Sequence, residues 1–212
     1  MIGGIVLAYP FWSAGYASLQ QDRLAASLVQ SQRKFDHIIS SQTASIERIA
    51  NRNARLRALA TVFAQRLHPG DTIGRILIPR LHLNRVILDG EHKPPSMGIG
   101  NDQQYLRDGP THYGLTPLPG TGRPFAVAGH RTTYGAPFNK LNELRRGDAI
   151  YVVTPYARLR YRVDKETVVR PTEISVLADR GYDLVLTTCD PPGWATRRLI
   201  VWGTLVDFSL RS

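Results

Sequence analysis

The 212-residue chain is long enough for one well-cored domain with an appendage, and its 42% apolar and 21% charged residues exclude both a disordered chain and a multi-span membrane protein. A formal net charge of +10 suits anionic lipid headgroups or wall polymers. No basic run interleaved with aromatics and no helix-turn-helix or zinc-finger pattern accompanies that charge, so no nucleic-acid partner is expected. The single cysteine, Cys189, rules out an internal disulfide and Cys-rich metal clusters, and no carboxylate cluster argues for calcium; no metal and no cofactor are expected.

From the N-terminus, residues 1–19 read as a transmembrane anchor. Ile2 to Leu19 carry no charge and are close to bilayer-spanning length, and a membrane helix tolerates Pro10. A signal-peptide core is the alternative, with Gly15-Tyr16-Ala17 as a weak cleavage site. No Lys or Arg precedes the segment while Arg23 lies just beyond it, so the positive-inside rule gives no support for export of the C-terminal part. Residues 20–69 read as a helical stalk. Gln20 to Leu67 lack Gly and Pro, and apolar residues recur at helical spacing: Leu24, Leu28, Phe35, Ile38, Ile39, Ile46, Ile49, Leu56, Leu59 and Phe63. One helix, or two broken near Ser40-Ser41, would reach roughly 70 Å at about 1.5 Å per residue. A spacer, or a segment that pairs with a second copy, is its simplest role. His68-Pro69-Gly70 ends it.

Residues 70–212 change in texture, to short β-prone runs divided by Gly and Pro. Strands are expected near Ile73–Ile78, Arg85–Leu88, Phe125–Ala128, Ala149–Val153, Leu159–Val163, Asp183–Thr188 and Arg198–Val206, with a short helix over Pro137–Leu144. Seven such strands argue for a barrel or sandwich rather than a parallel α/β fold.

Cys189 ends the run Asp183 to Thr188, which would set its thiol at a rim rather than in a core. The loop from Asp190 to Thr196 comes next, and a strand begins at Arg197-Arg198. An arginine at that strand's start can return beside the cysteine, favour the thiolate by charge, and hydrogen-bond a developing oxyanion. A cysteine nucleophile also needs a proton donor for its leaving group. His37, His68, His82 and His92 lie in the stalk or in polar loops and read as solvated residues. His112 lies in a turn-rich stretch and could border a site. His130 is best placed, because it ends the run Phe125 to Ala128 and opens into a Gly-containing loop, the same rim position inferred for Cys189.

Three blocks, Ala128-Gly129-His130-Arg131, Leu186-Thr187-Thr188-Cys189, and the arginine before Leu199-Ile200-Val201, resemble the signature blocks of the sortase family in the family's order. Gly70-Asp71-Thr72-Ile73-Gly74-Arg75-Ile76 resembles its opening strand, and the stretch from Gly109 to Leu144 is most similar to class E housekeeping sortases of actinobacteria. The resemblance covers Gly70 to the C-terminus. It implies a closed, mainly β sortase-type barrel with a few short helices, carrying a membrane-tethered, extracytoplasmic cysteine transpeptidase. Cys189 would attack the Thr–Gly carbonyl of a Leu-Pro-x-Thr-Gly or Leu-Ala-x-Thr-Gly sorting motif on a secreted protein. His130 would move the proton, Arg198 would steady the oxyanion, and an amine of the peptidoglycan precursor would take the acyl group. Arg197 would face away from Arg198 by strand alternation. Thr188 would sit beside the substrate, with Tyr113 and Trp194 bordering the groove. The family's block has Thr where this chain has Val185, a difference expected to affect packing. Two alternatives are a pilin-polymerising sortase and a non-catalytic tethered adaptor whose working part is the helix.

Overall fold

The computed structural model describes residues 3–93 and 103–211, without the side chains of 3–14, 41–45 and 103. Two helices precede eight strands. α1 spans Gly3–Glu47 and α2 spans Arg52–Ala64. The strands are β1 (Thr72–Ile78), β2 (Leu83–Asp89), β3 (Thr111–His112), β4 (Phe125–Ala128), β5 (Ala149–Val153), β6 (Ala157–Val169), β7 (Leu184–Asp190) and β8 (Arg197–Leu210), with a one-turn helix α3 (Gln103–Leu106) ahead of β3. They close into a barrel in the order β1-β2-β3-β4-β7-β8-β6-β5. Two pairs are parallel, β2 with β3 and β4 with β7. The seven expected strands are all present. β3 is additional, and Pro137–Leu144 contributes only a 3₁₀ turn at Leu141–Glu143.

Alternation sorts the side chains of β4, β7 and β8. Phe125, Val127, Leu184, Leu186, Leu199 and Val201 belong to the main core inside the barrel. Their neighbours Ala126, Val185, Ile200 and Trp202 form a second apolar cluster on the outer face. Val185 therefore packs rather than reacts. Gly74, where the β1–β2 register slips, has no room for a side chain: a Cβ would fall 2.2 Å from the Val153 carbonyl oxygen.

The helical segment does not project as a stalk. Phe35 and Ile46 of α1, and Leu56, Leu59, Ala60 and Phe63 of α2, are buried in the barrel's own core cluster. The Phe35, Phe63 and Tyr156 rings meet with centroids 5.3 to 6.3 Å apart. The apolar stripe expected to pair two copies is thus used within the chain, because the barrel supplies the complementary apolar surface. Polar contacts fix the line of α1: Gln21 accepts from Val86 N at 2.8 Å and donates to the Asp108 carbonyl at 3.1 Å, and Gln32 donates to the Pro155 carbonyl. The break falls after Glu47, not at Ser40-Ser41. Asn51 caps α2 by accepting from Ala54 N, and Arg55 reaches back to the carbonyls of Glu47 and Ile49. α1 runs through residue 19 without interruption, and among the described residues no helix is long and apolar enough to cross a membrane.

Candidate active site

The outer-face alternation continues to the ends of β4, β7 and β8. In the β7–β8 ladder Cys189 lies directly opposite Arg198, so both side chains share that face. β4 runs parallel beside β7 with Ala128 opposite Thr187, and Gly129 N extends the pairing to the Thr187 carbonyl at 3.0 Å. His130 comes one residue later. Three adjacent strands thereby deliver His130, Cys189 and Arg198 to one rim. Cys189 is a half-buried free thiol, Arg198 is buried, and Arg197 faces away, exposed and paired with Asp190.

Local packing sets the histidine. The Phe138 ring lies over Gly129, where a Cβ would come within 2.5 Å of it. Phe138 N in turn donates to the His130 carbonyl at 3.0 Å. Tyr134 lies against the imidazole with centroids 5.1 Å apart, and Tyr16 of α1 meets Tyr134 edge-on. His130 Nε2 is buried and has no hydrogen-bond partner among the described residues. Burial first, and the positive charge of Arg107 second, lower the pKa of His130 to about 4. At neutral pH the ring is therefore uncharged.

Arg198 Nη1 donates to the carbonyls of Ala195 and Arg197, at 2.9 and 3.0 Å, and so orders the end of the β7–β8 loop. Trp194 in that loop is 70% exposed. Tyr113 packs on the outer cluster and shares a 2.7 Å hydrogen bond with Thr187, beside Cys189 on the same face. Thr188 is placed differently from the expectation. It is buried on the barrel side, and its hydroxyl donates to the Gly129 carbonyl at 2.8 Å, tying down the histidine's turn.

Several contributors escape a reading of the pattern. Arg131 is buried and reaches the Cys189 carbonyl; its only sequence signal is its place after His130. Arg107 and Tyr134 act on His130 from segments distant in sequence or by ring contact. His112 lies beneath the rim, hydrogen-bonded to buried Asp89 at 2.8 Å, and His92 shares that carboxylate. Among the described residues no set of three or more His, Cys, Asp or Glu side chains is arranged to hold a metal ion. A cavity of about 540 Å³ lies between α1, the end of α2 and the start of β1, and no candidate site residue lines it.

A sortase-domain family model matches residues 76–206. Sortase SrtE1 of Streptomyces coelicolor is 32% identical over 155 residues, 68% of this chain and 43% of that protein. Sortase D of Bacillus subtilis is 28% identical over 142 residues, 65% of each chain. The chain thus spans less than two thirds of either relative. The crystal structure of sortase E1 from Streptomyces coelicolor with a tripeptide in the active site aligns with a TM-score of 0.58 at 30% identity, covering 67% of this chain and 92% of that one. Sortase E from Streptomyces avermitilis aligns at 0.57 and 33% identity, covering 68% and 93%. The match over most of the barrel, including all three rim residues, shows that the chain belongs to the sortase family.

Proposed function

We propose that the chain is a cysteine transpeptidase in which Cys189 is the nucleophile, His130 the proton carrier and Arg198 the oxyanion partner. The observation that carries the reading is the convergence of these three residues on one rim, from β7, β4 and β8. Cys189 Sγ attacks the Thr–Gly carbonyl carbon of a sorting motif, and the His130 imidazole takes the thiol proton. The tetrahedral oxygen gains its negative charge beside the Arg198 guanidinium. Collapse breaks the C–N bond, His130 returns the proton to the departing amine, and a thioester remains on Cys189. An incoming amine of a peptidoglycan precursor attacks that thioester, with His130 accepting its proton. The thiolate leaves and is reprotonated.

The same reading makes the substrates secreted proteins that carry Leu-Pro-x-Thr-Gly or Leu-Ala-x-Thr-Gly. Tyr113 and Trp194, one on the outer cluster and one in the exposed loop, are the groove contacts that distinguish the two. The protein works outside the cytoplasmic membrane, tethered through the uncharged segment ahead of Tyr16, which itself packs on Tyr134. The test is mass spectrometry of the full chain with both peptides and an amine acceptor. Cleavage between Thr and Gly with amine exchange is expected, falling to background in Cys189→Ala. His130→Ala should lose about 10²- to 10⁴-fold and Arg198→Ala about 10²- to 10³-fold. Equal turnover by Cys189→Ala would sink the proposal.

A further inference from the structure

We infer that Arg131 is a positioning residue for the transpeptidation, one that locks the thiol-bearing strand end to the turn carrying the histidine. The inference rests on the assignment of Cys189 and His130 above. Arg131 is buried at 6% exposure, an uncommon place for a guanidinium unless it is paired. Its Nη1 donates to the Cys189 carbonyl at 3.0 Å and to Asp190 Oδ1 at 2.8 Å, while Nη2 donates to Asn142 Oδ1 at 2.9 Å. The other carboxylate oxygen of Asp190 takes Arg197 Nη2 at 3.1 Å. Asp190 thus lies between two arginines, one fixed in the histidine's turn and one opening β8.

The consequence is geometric. The residue next to His130 holds the main chain of Cys189 itself and the side chain of its successor. The donor and the nucleophile therefore cannot drift apart without breaking a buried, charge-assisted contact. The same contact anchors the base of the β7–β8 loop, on whose far side Arg198 holds the Ala195 carbonyl. A planar fork is needed, because one side chain must serve a carbonyl, a carboxylate and an amide in three directions; a lysine ammonium on a flexible stem cannot hold all three. Small displacements of reacting groups cost rate steeply, on the order of 10²-fold for about 1 Å.

Full-length Arg131→Ala, Arg131→Lys, Asp190→Asn, Asn142→Ala and the double variant Arg131→Ala/Asp190→Asn test this with the sorting peptides and by hydrogen exchange. Arg131→Ala should lower kcat about 10²-fold with KM within about threefold. Arg131→Lys should recover part of the loss, and the double variant should be no worse than the poorer single one. Amides of residues 189–197 should exchange faster in Arg131→Ala while those of β6 keep their protection. Asn142 is exposed, so Asn142→Ala keeps the fold even if Arg131→Ala does not, and it should lower kcat measurably by freeing one arm of the fork. Unchanged kcat in both Arg131→Lys and Asn142→Ala overturns the inference, as does faster exchange spread evenly over the barrel. If the wild-type chain cleaves neither peptide, the assignment of Cys189 fails, while the exchange comparison still decides the clamp.

Discussion

Replacing His130 with asparagine removes a buried group that resists protonation, and the effect on stability has a definite sign. The ring titrates near 6.5 in the unfolded chain, while in the folded protein burial and Arg107 lower it to about 4. Between those values the unfolded chain binds a proton that the folded chain refuses. The contribution of His130 is therefore fully present above about pH 6.5 and is lost as the pH falls towards 4. From these two values the loss between pH 7.5 and pH 5.0 is about 2 kcal/mol, approaching roughly 3 kcal/mol below pH 4. Urea unfolding of wild type and His130→Asn at both pH values isolates this share. The wild type should lose about 2 kcal/mol more than the variant on acidification. Equal losses would mean that the folded protein protonates His130 as readily as the unfolded chain, and the neutral-base step would lose its footing.

Two further outcomes are expected from the packing and the charges. Phe63→Ala should cost about 3–5 kcal/mol in urea unfolding, since its ring is buried against Phe35 and Tyr156; a change under about 0.5 kcal/mol would restore the projecting stalk. Arg107→Gln should raise the midpoint of His130, tracked by NMR of its ring protons, because a repelling charge is removed; an unmoved midpoint would leave burial as the sole cause.

The strands are legible because each is a short β-prone run bounded by turn residues, and the candidate site is legible because its three proposed residues each sit at the end of such a run. Thr188 shows where that reasoning stops. Period-2 alternation puts it on the opposite face from Cys189, but choosing which face is the groove requires the neighbouring strands. β3 is two residues long, too short for any periodicity to report. The helical stripe of Phe35, Leu56, Leu59 and Phe63 was legible as a surface needing cover, yet periodicity says nothing about what covers it; the barrel does. The break after Glu47 depends on Asn51 and Arg55 bonding to particular backbone groups, whereas Ser40-Ser41 only looked like a weak point. Arg131 escapes for a different reason: it stands in the block around His130, but its partners, Asp190 and the Cys189 carbonyl, are brought to it only by the fold.

The proposed transpeptidation requires Cys189 to form a covalent thioester, and intact-protein mass spectrometry measures this directly. A sorting-motif peptide added without an amine acceptor should raise the mass of the full chain by the acyl portion of the peptide, with the adduct on Cys189 and reversed by hydroxylamine. The same adduct should be absent from Cys189→Ala. Cleavage of the peptide with no adduct on Cys189, or with equal rate in Cys189→Ala, would contradict the mechanism.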